Sequence, residues 1–326
     1  MWWTRRDSPP DTDCVRPSNS LVRSAAEGIV GEVSRDPVFC RTSHVRVVMD
    51  GRVIFDRHLR GPRAGDVFSV TKSVLATLVG AAVTDGLLAD LDAPLDDLLA
   101  ARGTASAGLC WRDLLTMRRG AAVLDSDDVM AHPHGWLDRW RSCPRLERPG
   151  RTFRYDDGAA YLLAAALHRV TGDLGNYADR RLFGPLGVGP VRWLRGPEGF
   201  VHGAAHLQLT AEAMGRLGML WLDGGRAGST VVVDPDYLAE MLTPSSTGGP
   251  PENVAFGFLT WLAEGYWFAG GWAGQHIVCV PGSRAVVVVT GDPEFTHGPP
   301  RSDAMPSGWR PTLDLVRARL LPLLVT

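Results

Sequence analysis

Apolar and polar residues alternate through HVRVVMDGRVIFDR, residues 44–57. Val45, Val47 and Met49 share one side before Asp50-Gly51, and Val53 and Phe55 repeat the pattern after it. A period of two is that of a half-buried strand. Asp-Gly between two such runs suits a two-residue type I′ turn, because Gly tolerates positive φ freely and Asp better than most. The segment predicts a β-hairpin. Past the loop RGPRAGD (60–66) the period changes, and Val74, Leu75, Leu78, Val79 and Ala82 recur at helical spacing until Gly86. A buried helix is expected there, with Ser69 at or just before its start. A further helix is expected over 21–33.

Helical spacing dominates the middle of the chain. WRDLLTM (111–117) predicts one helix. GAAYLLAAALHRVTG (158–172) predicts another, apolar on nearly every side and stopped by Gly172. TAEAMGRLGMLWLDGG reads as a third, begun by a capping Thr210 and closed by two glycines. The pattern then turns β-rich in VAFGFLTWLAEG, YWFAGG, QHIVCVP and RAVVVVTG, short runs divided by Gly and Pro. RAVVVVTG is apolar enough for a strand covered on both faces. A Pro-rich loop (292–311) precedes a final helix, LDLVRARLLPLL, whose Pro322 should fray the last turn.

Strands towards both ends with helices between them predict an α+β fold. One antiparallel sheet is built from the N- and C-terminal segments and flanked by helices, and an all-helical lobe is inserted in the middle. The expected division is a mobile arm over 1–20, a sheet domain from 21–86 and 210–326, and a helical lobe over 87–209. The cleft between sheet and lobe then has Ser69 at its junction.

Composition narrows the partners. The 326 residues are 45% hydrophobic and 21% charged, with net charge −2, so the chain is globular and long enough for a large core. Near-neutrality removes the electrostatic case for nucleic acid or an anionic membrane surface. Cys14, Cys40, Cys110, Cys143 and Cys279 are odd in number and contain no Cys-x-x-Cys pair, which fits buried thiols in a reducing compartment. The first twenty residues lack the apolar stretch of a secretory signal, and no apolar run is long enough to span a membrane. A cytoplasmic protein is expected.

Charge also isolates one residue. Lys72, in VFSVTKSV (67–74), is the only lysine among 34 basic residues. A guanidinium stays protonated, whereas an ammonium loses its proton when burial or a neighbouring cation depresses its pKa. Ser69 lies three residues upstream, on the same helix face. Ser-x-x-Lys therefore joins a nucleophile to a proton acceptor; the plainer reading is a capping serine and a surface lysine. Tyr155, in FRYDDGAAYLL, can relay a proton. Asp157, followed by Gly158, also fits a helix N-cap. FAGGWAGQ (268–275) is a strand edge of small residues that permits close backbone approach. The amides of Ser69 and Trp272 could then form an oxyanion hole. Asp157, Gly271, Trp272 and Gln275 stand as candidate substrate contacts, and Trp261, Trp267 and Trp272 as the lining of an aromatic acyl pocket.

These three segments, in this order, resemble the serine β-lactamase-like superfamily, most nearly the class C β-lactamases and their penicillin-binding-protein-like esterase and transesterase relatives. The similarity runs from about residue 25 to the C-terminus through RHLRGPRAGDVFSVTKSV, CWRDLLTMRRG, PGRTFRYDDGAAYLLAAALHRVTG, LFGPLGV, LQLTAEAMGRLGMLWLDGG and GGWAGQHIVCVPGSRAVVVV. It implies Ser69 as the acylated nucleophile, Lys72 as general base, Tyr155 as proton relay and Gly271-Trp272 on the strand beside the acyl site. Two positions depart from the family pattern. Asp157 stands where an Asn is usual, and Ala269 where the strand motif opens with Lys or His. That cation helps to hold the carboxylate of β-lactams and peptidoglycan stems, so β-lactamase or D,D-peptidase activity fits less well than action on an ester or amide, or on a substrate bearing an amine. A carboxylate at 157 also opposes a neutral Lys72. Bringing a lysine from about 10.4 to near 7 takes roughly 4–5 kcal/mol, which burial can supply only if Asp157 caps its helix or faces substrate; otherwise Lys72 stays charged and Tyr155 does the deprotonation.

No metal or other cofactor is expected. LDSDDVMAHPHGW (124–136) gathers Asp125, Asp127, Asp128, His132 and His134 but is loop-like, and HGAAH (202–206) lacks the Glu of a zinc-protease motif. Three functions follow in order of fit: a serine hydrolase of small esters or amides, an acyltransferase that passes the acyl group to an amine or alcohol, and a non-catalytic binding module on the same scaffold.

Overall fold

The computed structural model describes residues 16–294 and 305–325. Cys14, most of the expected arm and part of the Pro-rich loop lie outside the described residues. The first helix, Asn19–Val33, is capped by the Ser18 hydroxyl and so begins inside the stretch expected to be an arm.

A seven-stranded sheet organises the molecule. Its spatial order is Arg52–His58, Thr42–Met49, Ala285–Gly291, Gln275–Val280, Tyr266–Gly271, Trp261–Ala263 and Ala255–Phe256. Every neighbouring pair is antiparallel. The hairpin forms as expected, with Asp50 at φ 46° and Gly51 at φ 73°. A register shift at Val47/Val48 then pairs Val47 with Phe55 and Val48 with Val53. This bulge spoils the simple alternation, and Val53 is 48% exposed while Ile54 and Phe55 are buried.

The strand Ala285–Gly291 is buried from Ala285 to Val289, so both its faces are covered. Helix Ala211–Leu222 packs on the side of Val286 and Ile277, closely enough that a Cβ on Gly218 would meet Val286 at 2.5 Å. Helices Asn19–Val33 and Leu313–Arg319 pack together across the other face. Each valine withdrawn from water there contributes about 1.5–3 kcal/mol relative to exposure. Thr210 caps Ala211–Leu222 through its hydroxyl, as expected. The last helix breaks at Leu320, just before Pro322, into Leu313–Arg319 and Leu321–Leu324.

The middle of the chain surrounds helix Asp157–Thr171, which is buried from Gly158 to Leu167 and ends at Gly172 with φ 81°. One feature of this region departs from the helical pattern. Arg192–Trp193 and Leu207–Thr210 form a small sheet with Ala64–Asp66. Strands of two to four residues are too short for a period to show. This sheet brings the chain before Ser69 beside residues 202–210, where Val67 N donates to Leu207 O at 2.9 Å. Among the described residues no helix is long and apolar enough to cross a membrane.

Candidate active site

Ser69 stands at the head of helix Val70–Thr84, a helix buried without a break from Val70 to Ala82. The hydroxyl does not cap the helix. It accepts instead a hydrogen bond from Lys72 Nζ at 2.7 Å, so the plainer reading of a capping serine and a surface lysine does not hold. The preceding residue, Phe68, adopts φ 45°, a left-handed conformation that costs a side-chain-bearing residue about 1–2 kcal/mol. Its amide donates to Asp66 Oδ1 at 2.7 Å.

Lys72 is only 2% exposed. Besides Ser69 Oγ its ammonium meets Ala204 O at 2.8 Å and Asp157 Oδ1 at 2.7 Å. Three N–H donors thus have three acceptors. Burial pushes the Lys72 pKa down, but the Asp157 carboxylate, aided by Tyr155, outweighs it and leaves the pKa raised. Of the two alternatives left open, a neutral lysine or a charged one with Tyr155 moving the proton, the ion pair with Asp157 favours the charged lysine. The reason lies one residue away. Asp156, not Asp157, caps the helix by accepting from Gly158 N at 2.8 Å. Asp156 is locked there by a buried ion pair with Arg119. Asp157 is left to face Lys72, which makes it a partner of the lysine in place of the expected helix cap or substrate contact.

Burial works to raise the Asp157 carboxyl. The Lys72 ammonium, helped by the Ser126 hydroxyl, holds it below the usual carboxylate range. His202 is buried behind the pair, and burial together with His206 lowers its pKa to about 3, so the ring is neutral. Its Nδ1 accepts from Ala205 N at 3.1 Å, which puts the proton on Nε2.

Tyr155 completes the group. Lys72 Nζ lies 4.9 Å from the centre of its ring. The ring stacks on Trp261 at 5.5 Å and 15°, and that stacking fixes where the phenol points. On the opposite wall runs the strand Tyr266–Gly271. A Cβ on Gly271 would fall 2.3 Å from Val67 O and 3.3 Å from Ser69 N. Only glycine lets the strand approach the Ser69 turn this closely. Trp272 follows and packs edge-on against Phe68 at 5.1 Å. Ala269 is fully buried and supplies no cation. Of the three tryptophans, Trp261 and Trp272 flank Tyr155 and Phe68, while Trp267 pairs across the sheet with Leu262 and Cys279.

Gln275 reads differently from expectation. Its amide is 2% exposed, donates to Gly291 O at 2.8 Å and accepts from Gly291 N at 3.3 Å. It staples two strands, and its polar atoms are spent there. The segment 124–136 contributes one group that sequence reasoning passed over, Ser126 on Asp157. Asp125 caps the short helix Ser126–Met130, and His132 and His134 are exposed. Asp66, Ala204 and the two histidines of HGAAH also surround the site. The histidines were visible in the sequence; the partner of His206, Asp66, comes from another segment of the chain.

A serine hydroxyl, a buried ammonium, a phenol and two amides, that of Ser69 at a helix head and that of Trp272 just past a strand, can together support acyl transfer. The β-lactamase family model matches residues 43–305. The chain belongs to the β-lactamase family. No curated protein matches it. Solved structures do. A β-lactamase from Mycobacterium bovis is 19% identical over 89% of this chain and 98% of its own, with a TM-score of 0.64. A penicillin binding protein from Bacillus halodurans is 16% identical over 91% of this chain and 98% of its own, with a TM-score of 0.67. EstCE1, described as a hydrolase with promiscuous acyltransferase activity, is 17% identical over 84% and 94%, with a TM-score of 0.68. At such identities the likeness is one of fold: the large antiparallel sheet flanked by helices is that of β-lactamases and transpeptidases.

Proposed function

We propose that this β-lactamase-family chain is a serine hydrolase cleaving a small ester or amide through an acyl-enzyme on Ser69. The observation that carries the reading is the 2.7 Å contact of Lys72 Nζ with Ser69 Oγ at the head of a buried helix. Ser69 Oγ bonds to the acyl carbon as the leaving group departs. Lys72, already protonated, donates to Oγ and holds it in place. The Tyr155 oxygen, beside that ammonium, relays the hydroxyl proton to the leaving group. The amides of Ser69 and Trp272 receive the oxyanion, each such donor contributing about 2.7–4 kcal/mol in the transition state. Water then attacks the ester, and Oγ recovers its proton.

Ala269 leaves a substrate carboxylate without a partner, so carboxylated antibiotics and D-Ala-D-Ala stems fit poorly. An amine-bearing substrate draws less support than an unpaired carboxylate at 157 would lend it, because Asp157 is engaged with Lys72. Phe68, Tyr155, Trp261 and Trp272 favour an apolar acyl group. A fluorophosphonate probe followed by intact-mass measurement tests the reading. One adduct is expected on the wild type and none on Ser69→Ala; no adduct on the wild type, or equal adducts on both, rejects it.

A second reading, acyl transfer to an amine or alcohol, draws support from the same aromatic walls, which would shield an acyl-enzyme from water. Product analysis with and without an added amine separates it from hydrolysis.

A further inference from the structure

The segment His202–His206 touches the candidate site at three points. The Ala204 carbonyl accepts from Lys72 at 2.8 Å. The His202 ring lies behind the Lys72–Asp157 pair. His206 Nδ1 meets Asp66 Oδ2 at 2.5 Å. The other oxygen of that carboxylate accepts from the amide of Phe68, the residue before Ser69, at 2.7 Å. A single carboxylate thus links His206 to the nucleophile turn.

Several features make this link rigid. The side chains of Asp66 and His206 are 9% and 10% exposed, so water competes little for their bond. Asp66 ends the strand Ala64–Asp66, which pairs with Leu207–Thr210 immediately after His206. Both ends of the link are strained, with φ 45° at Phe68 and φ 65° at His206. Such strain persists only where surrounding contacts over-determine it. The Phe68 ring lies edge-on to His206 at 6.1 Å and to Trp272 at 5.1 Å. The link therefore reaches both candidate oxyanion donors.

We propose that His206 and Asp66 are positioning residues, a clamp that holds the Phe68–Ser69 turn so that the Ser69 amide faces the developing oxyanion. The proposal rests on the acyl-enzyme reading above. A donor turned away from the oxyanion stops stabilising the transition state while substrate still binds, so release of the clamp lowers kcat and spares KM.

The test compares wild type, His206→Ala and His206→Asn. Asn keeps an N–H close to the position of Nδ1. The measurements are the rate of fluorophosphonate labelling at Ser69, kcat and KM on a short-chain p-nitrophenyl ester, and Tm. In His206→Ala, labelling and kcat are expected to fall about 10²-fold, the lower end of the loss on removing an oxyanion donor. KM should stay near wild type, and His206→Asn should recover most of the rate. Labelling of His206→Ala at the wild-type rate overturns the clamp, as does an equal loss of kcat in Asn and Ala. Should His206→Ala fail to fold, His206→Gln replaces it, since its longer amide cannot hold the Nδ1 position; slow labelling then supports the clamp and wild-type labelling overturns it. A wild type that takes no label at Ser69 removes the acyl-enzyme reading itself, a result distinct from either.

Discussion

Lys72 Nζ and Asp157 Oδ1 meet at 2.7 Å, and the same nitrogen holds Ser69 Oγ at 2.7 Å. An ion pair and a nucleophile contact therefore share one ammonium. That arrangement keeps the lysine charged and makes it a fixed donor. On the proposed acyl-enzyme reading, the proton of Ser69 then leaves by another route, for which Tyr155 is the neighbouring group.

Lys72→Arg keeps the charge, yet a planar fork cannot put three donors on Ser69, Ala204 and Asp157 at once. Activity on an ester should fall about 10²-fold or more. Wild-type turnover in this variant would contradict the geometric role of the amine.

Asp157→Asn tests the electrostatics. The raised Lys72 pKa contributes stability that is complete below the unfolded lysine value and is lost as pH rises through the folded one. The lowered Asp157 pKa contributes stability present above the unfolded carboxyl value and lost as pH falls through the folded one. The pair thus stabilises the neutral range and fails at both extremes. Removing the anion strands a buried ammonium and should cost about 3 kcal/mol in denaturant titrations. It also removes the charge that raises the Lys72 pKa, so the alkaline limb of kcat/KM, where the ammonium is lost, should move to lower pH. A limb that stays in place with only KM altered would return Asp157 to substrate binding. The charged or titratable groups facing the pair are Tyr155, His202 and Asp156, the last neutralised by Arg119.

Gly271→Ala adds a carbon that would lie 2.3 Å from Val67 O. The strand must back away from Ser69, at about 1–3 kcal/mol of stability and with a clear loss of kcat. A variant with wild-type Tm and kcat would show that this approach is not needed.

Gln275→Ala breaks both bonds to Gly291. Stability should drop by about 1–3 kcal/mol, the cost of leaving buried partners unsatisfied, while KM in the remaining folded enzyme is unchanged. A KM several-fold higher at intact stability would make Gln275 a substrate contact after all.

Features set by a short stretch of chain could be read from that stretch. The Asp50-Gly51 turn, the Thr210 cap and the buried run after Ser69 each rest on a local period or a local hydrogen bond. Asp156 and Asp157 are adjacent and chemically alike, and nothing local separates cap from ion-pair partner. The choice is made by Arg119, 37 residues away, which takes Asp156. Gln275 likewise gains its role from Gly291, sixteen residues on and in another strand. Ser126 joins the site only once a distant loop has folded onto Asp157.

The strand Ala285–Gly291 lies between Thr42–Met49 and Gln275–Val280. During synthesis the early hairpin (Thr42–Met49 with Arg52–His58) must therefore wait, one edge bare, until the much later strand Ala285–Gly291 has left the ribosome. Such a delay favours off-pathway pairing. Chaperone dependence and yield should respond to translation speed more than to any single core contact.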